Sequence, residues 1–295
     1  MLTGSMVALV TPMSRDGAVD HGELGGLIDF HVDAGTEALI IAGTTGESAT
    51  LTRAEHVELL ERSAELAAGR IPIIAGTGSN STRQTLELSL EASRLPIAAL
   101  LIVTPYYNKP TQEGLVRHYT VIADAVDKPI ILYNVPGRTA VDLKPATVIR
   151  LAAHPGVVGI KDATAELDRV AELREGCGRK FSLLSGDDLS SREFMLAGGD
   201  GVISVTGNVA PAGLRALCDA ARAGRRDEAE AIDSKLVDLH RDLFIESNPI
   251  PVKWALHEMG LIGPGIRLPL TVLEARHRPA VMAAMVKAGV EPVTA

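Results

Sequence analysis

Aromatic side chains are scarce in this 295-residue chain: one Trp, four Phe and four Tyr, 3% in all. Any core must therefore be aliphatic, and where the few rings sit becomes informative. Cysteine is scarcer still, with only Cys177 and Cys218. Two thiols cannot form a disulfide framework and suit a reducing compartment, though they leave room for one bridge. Basic residues are the minority, 29 Lys+Arg against 37 Asp+Glu, for a formal net charge of −8. That balance argues against nucleic acid or an anionic membrane as partner. Long apolar runs are missing as well. Even a run such as 98–103 falls far short of the ~20 residues a membrane helix needs. The N-terminus shows no basic n-region or cleavage site. The expectation is a soluble, cytoplasmic protein.

What the chain does have is a recurring pattern. Short aliphatic runs occupy 6–10, 38–42, 71–75, 99–103, 129–133, 157–161, 181–185 and 201–205. Their starts lie roughly 20 to 33 residues apart, the length of a strand, a helix and two loops. Each run is continuously apolar rather than alternating, as expected of a parallel strand covered on both faces. Helical patterns fill the gaps. Thr52 and Glu55 form a capping box ahead of Val57, Leu60, Ala64 and Ala67. Ser81 precedes Leu86, Leu88, Leu90 and Ala92. Eight such units within about 225 residues predict an α/β fold, a closed (β/α)8 barrel spanning 1–224. An open doubly wound sheet is the alternative, but no Gly-x-Gly-x-x-Gly turn follows the first run. From 225 to 295 the pattern changes to a C-terminal helical extension. Ala229, Ile232, Leu236, Leu239 and Leu243 make a helical stripe, Asn248-Pro249 opens a second helix, and a third covers about 275–288.

In such a barrel the active site forms at the C-terminal ends of the strands. Polar residues gather there: Gly43-Thr44-Thr45-Gly46-Glu47, Thr104-Pro105-Tyr106-Tyr107-Asn108, Tyr133-Asn134, Lys161-Asp162, Ser185-Gly186-Asp187-Asp188 and Thr206-Gly207-Asn208. Of the eight lysines only Lys161 closes an apolar strand on this face; Lys128 and Lys180 precede theirs. Desolvation there disfavours the ammonium form, and a neutral amine can attack a ketone to form a Schiff base. The competing reading is a lysine reaching Asp162 at the rim. A phenol is a poor acid or base unless a partner relays its proton. Thr44, Tyr107 and Tyr133 stand on different strand ends facing one mouth and can make such a relay; rim packing with wet hydroxyls is the plainer alternative. The Thr44-Thr45 turn offers backbone N–H groups for a carboxylate, or is simply a tight turn. Arg138 either clamps a second carboxylate or is an ordinary loop arginine. The eight histidines show no i, i+4 pair, and none closes a strand. That argues against a zinc-dependent aldolase.

Gly43-Thr44-Thr45-Gly46-Glu47, Tyr133-Asn134-Val135-Pro136, Gly159-Ile160-Lys161 and Ser185-Gly186-Asp187-Asp188 resemble the pyruvate-dependent class I aldolases of the dihydrodipicolinate synthase and N-acetylneuraminate lyase superfamily. The likeness runs from Thr3-Gly4-Ser5 to Asn248-Pro249-Ile250-Pro251-Val252-Lys253-Trp254, nearly the whole chain. Arg138 and Tyr106-Tyr107 place it nearer the synthases than the sialic-acid lyases, whose equivalent loop normally lacks this arginine. The resemblance implies a TIM-barrel lyase that condenses pyruvate with L-aspartate 4-semialdehyde in diaminopimelate and lysine biosynthesis. A sialic-acid or 2-keto-3-deoxy sugar acid lyase is the alternative. It implies Lys161 as the Schiff-base residue, and Thr45, Gly186 and the backbone of Ile203 as substrate contacts. It further implies a proton relay of Tyr133, Thr44 and Tyr107, the last from a neighbouring subunit, with Arg138 binding the semialdehyde carboxylate. It implies no metal or organic cofactor, and an assembly that is a homotetramer, a dimer of dimers.

Some positions depart from the superfamily pattern. Asp162 stands where Glu commonly follows the lysine, and Leu95-Pro96-Ile97-Ala98 replaces a more usual glycine and acidic residue. Members inhibited by L-lysine bind it at a dimer interface near positions matching Ser48, Ala49, His56, Asn80 and Tyr106. Gln84 replaces an acidic residue there and Arg53 a histidine. A neutral amide and an added positive charge weaken cation binding, so feedback by L-lysine is expected to be present but weak.

Overall fold

A computed structural model describes residues 2–293. Residues 1, 294 and 295, at the outer ends of the expected barrel and extension, lie outside the described residues. The aliphatic runs become strands: β1 (Gly4–Ala8), β2 (Ala38–Ile41), β3 (Ile73–Gly76), β4 (Ala99–Val103), β5 (Ile130–Asn134), β6 (Val157–Asp162), β7 (Ser182–Ser185) and β8 (Gly201–Ser204). All pair in parallel, in sequence order, and β8 returns to β1 with Ile203 opposite Met6, closing the barrel.

Helices follow the strands and cover them. They are α1 (His21–Asp33), α2 (Arg53–Ala67), α3 (Thr82–Ser93), α4 (Gln112–Ala123), α5 (Pro136–Thr139), α6 (Pro145–Ala152), α7 (Asp168–Cys177), α8 (Ser191–Leu196) and α9 (Pro211–Arg222). The predicted capping box starts α2: Thr52 Oγ1 accepts from Glu55 N–H, and the Glu55 carboxylate accepts from Thr52 N–H at 2.8 Å. Beyond the barrel lie α10 (Arg226–Asp242), α11 (Ile250–Glu258) and α12 (Arg278–Lys287). α10 packs on α9 and α12, and α11 lies against the 206–208 turn that leaves β8. No described helix is long and apolar enough to cross a membrane.

Strand alternation sorts the core into two layers. Met6, Ala8, Ala38, Ile40, Ile74, Leu101, Ile131, Tyr133, Leu184 and Ile203 fill the barrel. Val7, Leu39, Ile41, Leu100, Ile102, Leu132, Ile160 and Val202 face the helices. One helix buries a face the sequence pattern misses. α3 turns Thr85, Ser89 and Ala92 inward, while Leu90 is exposed and Leu86 and Leu88 are half-buried. The reason is polar: the Ser89 hydroxyl bonds Thr77 Oγ1 at 2.8 Å, just past the end of β3, and a leucine could not satisfy that group.

Candidate active site

Lys161 occupies an inward position on β6, so alternation sends its neighbours Ile160 and Asp162 outward. It is 5% exposed and stands directly opposite Tyr133 of β5. Its Nζ lies 4.4 Å from the centroid of the Tyr133 ring. Among the described residues no carboxylate is within ion-pairing distance of that Nζ. The Lys161–Asp162 pairing that the sequence left open is therefore overturned. Asp162 faces the helices, where Oδ2 accepts from Arg169 Nε at 3.0 Å and Oδ1 from Thr164 N–H at 2.9 Å. Burial pushes the Asp162 carboxyl above its ordinary range, and the Arg169 guanidinium opposes that push.

Gly186 follows β7 and faces the lysine. A Cβ there would sit 3.0 Å from both Cγ and Cε of Lys161 and 2.8 Å from Ala163 Cβ, so only glycine leaves the lysine its place. Ile203 lies inside the barrel on β8, 1% exposed. The two aspartates after Gly186 bind protein groups. Asp187 accepts from Ser190 N–H and Oγ, and Asp188 from the N–H groups of Val205 and Thr206.

The turn after β2 closes on itself: Gly46 and Ser48 N–H donate to Gly43 O, and Thr11 Oγ1 donates to Gly46 O at 2.7 Å. Thr44 stays partly exposed, whereas Thr45 is buried and its Oγ1 accepts from Asn248 Nδ2 at 3.0 Å. The Asn248 carbonyl in turn accepts from Arg138 Nη2 at 3.2 Å. One residue of the tail thus touches both side chains expected to meet carboxylates. Glu47 is buried, with Oε1 ion-paired to Lys253 Nζ and Oε2 accepting from Arg267 N–H at 3.1 Å. Burial lowers the Lys253 pKa, against the pull of Glu47. Neither Asn248 nor Lys253 was given a role from the sequence. The available signal was one lysine in the apolar first part of α11, flanked by Ile250, Val252, Trp254, Ala255 and Leu256.

Tyr107 is 88% exposed, at φ 73°, and among the described residues no hydrogen bond joins it to Tyr133. Tyr106 beside it is 37% exposed. Of the residues expected to meet L-lysine, Asn80 and Gln84 hold local bonds, Asn80 O from Asn108 Nδ2 at 2.7 Å and Gln84 Oε1 from Ser79 Oγ at 2.9 Å. The His56 ring donates from Nε2 to Gly76 O at 2.8 Å, and burial lowers its pKa. Ser48 and Ala49 form the start of a short turn, half-buried and exposed. Arg53 is not a free charge, because Glu87 and Glu91 of α3 bind it at 2.9 and 2.8 Å. Among the described residues one group could hold a cation: Glu246, Glu274 and His277 in the tail. Arg276 Nε already lies between the last two.

With a buried lysine at the mouth of a closed (β/α)8 barrel, and with the family match that follows, the chain belongs to the Schiff-base-forming lyases of the aldolase kind. More narrowly, the chain is a member of the dihydrodipicolinate synthetase family, whose profile it matches over residues 1–288. The 4-hydroxy-tetrahydrodipicolinate synthase of Methylococcus capsulatus is 60% identical over 290 residues, covering 98% of this chain and 100% of the relative. That of Thioalkalivibrio sulfidiphilus is 56% identical, covering 98% and 99%. The dihydrodipicolinate synthase of Acinetobacter baumannii, solved with pyruvate, superimposes with a TM-score of 0.97 at 51% identity, covering 99% and 100%. The enzyme of Cyanidioschyzon merolae, solved with lysine bound, gives 0.95 at 38%, covering 98% and 99%. These names support the condensing synthase over the sugar-acid lyase alternative.

Proposed function

We propose that the chain condenses pyruvate with L-aspartate 4-semialdehyde to 4-hydroxy-tetrahydrodipicolinate, with Lys161 as the nucleophile. The observation that carries this is Lys161 itself, buried over the Tyr133 ring with no carboxylate of the described residues beside it. Its amine adds to the ketone carbon of pyruvate, and loss of water leaves the Schiff base. Removal of a methyl proton gives the enamine, whose carbon attacks the aldehyde. The amino group of the joined product then displaces Lys161 and closes the ring, freeing the enzyme.

Tyr133 and Thr44 carry protons between the mouth and the reacting atoms, and Tyr107 completes the relay from a neighbouring copy. Its exposure in the single chain agrees with that role. Thr45, Gly186 and the Ile203 backbone hold pyruvate, and Arg138 holds the carboxylate of the semialdehyde. Residues 1–224 form the catalytic unit, 225–295 its extension, and the assembly is a cytoplasmic homotetramer. L-lysine inhibits weakly, because Gln84 offers no charge to its cation; the pairing of Arg53 with Glu87 and Glu91 removes part of the repulsion expected there.

Borohydride reduction in the presence of pyruvate, followed by peptide mass spectrometry, tests the chemistry. The expected result is an adduct on Lys161, and an unmodified Lys161 overturns the reading. Turnover with pyruvate plus aspartate semialdehyde, set against cleavage of N-acetylneuraminate, separates the synthase from the lyase.

A further inference from the structure

We propose that tail residues Asn248 and Lys253 are positioning residues that clamp the 43–48 turn, Asn248 acting through Thr45 and Lys253 through Glu47. Its catalytic consequence rests on the reading of Thr45 as a pyruvate contact. Three observations converge on it. Glu47 has a left-handed backbone, φ 58°, which side chains larger than glycine rarely adopt without outside support. The turn's own backbone bonds hold the Glu47 N–H and C=O, and the tail holds its carboxylate: Lys253 Nζ on one oxygen, Arg267 N–H on the other. Two residues earlier in the turn, the Asn248 amide fixes the Thr45 hydroxyl. The turn is thus gripped on both sides of Gly46 by residues that follow the last barrel strand.

The grip is itself anchored. The Arg267 guanidinium donates to Thr50 O and Gly17 O, both at 2.7 Å, and pairs with Glu55 at the start of α2. A buried ion pair is a poor source of stability, because desolvation offsets its attraction, but it selects one arrangement over others. Glu47 and Lys253 are 0% and 4% exposed in their side chains, beside a turn whose neighbour Thr45 must hold a small anion in place. Fixing Thr45 before pyruvate arrives spares the ordering that binding would otherwise require.

Two variants test the clamp in the full-length protein. Asn248→Ala removes the bond to Thr45. Glu47→Gln/Lys253→Met removes both charges together, so that neither is left buried alone. Hydrogen–deuterium exchange is read on residues 43–48 and on the β2 and β6 strands. The expected result is exchange at least about tenfold faster in the turn with the strands unchanged. Steady-state kinetics should then show the pyruvate KM raised by about tenfold in Asn248→Ala, with the KM for aspartate semialdehyde within about twofold of wild type. Unchanged exchange in the turn in both variants, or equal increases in both KM values, overturns the proposal. Wild-type protein run in parallel separates the two ideas. If it forms no pyruvate adduct, the functional reading falls, while the exchange data still decide whether the tail clamps the turn.

Discussion

At position 186 a single hydrogen does the work of a side chain. An alanine Cβ would press on Lys161 at 3.0 Å from two of its carbons. Gly186→Ala should therefore displace the amine rather than unfold the barrel. The expected loss is about 100-fold in kcat/KM, the scale of a misplaced reacting group, with an unchanged circular dichroism spectrum. Wild-type kinetics in that variant would show that Lys161 has room to spare. Behind the lysine, Arg169 holds Asp162, Asp142 and the Leu143 carbonyl. Arg169→Leu leaves Asp162 buried and unpaired, which should cost about 3–5 kcal/mol in urea unfolding. Lys161 was legible in the sequence because no other lysine ends an aliphatic strand on the catalytic face. Its separation from Asp162 follows from strand alternation, a rule available in the sequence once β6 is drawn through both residues.

Among the elements, α2 shows how local signals and distant ones combine. Its capping box could be read from Thr52 and Glu55, four letters of sequence. The further bond from Arg267 to Glu55, 2.5 Å and 212 residues away, could not. That bond holds the Glu55 pKa at about 2, below the 4.5 it has when free. The stability it confers is complete above pH 4.5 and is lost as pH falls toward 2. Wild type should thus exceed Glu55→Gln in Tm at pH 6, and the gap should shrink to a small part of that by pH 2.5. A gap independent of pH would show that the charge is immaterial. α3 is a helix where the pattern expects one, yet which face it buries does not follow from that pattern. Its leucines look like a buried stripe, yet it is small hydroxyl residues that meet the polar end of β3. Apolar periodicity cannot report a face chosen by hydrogen bonding.

For the molecule as a whole, the shortage of aromatics is met by an aliphatic barrel, and among the described residues Tyr133 is the one ring in its inner layer. The eight strands were legible because each is a short continuous apolar run. The contacts of the tail were not, since Asn248–Thr45 and Lys253–Glu47 join residues 203 and 206 positions apart. Nor was the fate of Tyr107, which depends on what lies beyond one chain. If a neighbouring copy receives Tyr107, two dead variants should repair each other. Co-assembled Tyr107→Phe and Lys161→Ala chains should recover up to about a quarter of wild-type specific activity, through sites that draw both residues from intact sources. No recovery in verified mixed assemblies would place Tyr107 outside the relay.

The clamp also has a temporal side. Synthesis proceeds from the N-terminus, and domains fold as their residues emerge. The 43–48 turn is made early, but residues 248, 253 and 267, which fasten it, leave the ribosome only after all eight strands have been made. A chain stalled near residue 245 would carry Lys161, Tyr133 and a complete set of strands, yet its Thr45 hydroxyl would lack the Asn248 bond. If the clamp sets pyruvate binding, such a chain would hold every strand of the barrel and still bind pyruvate poorly.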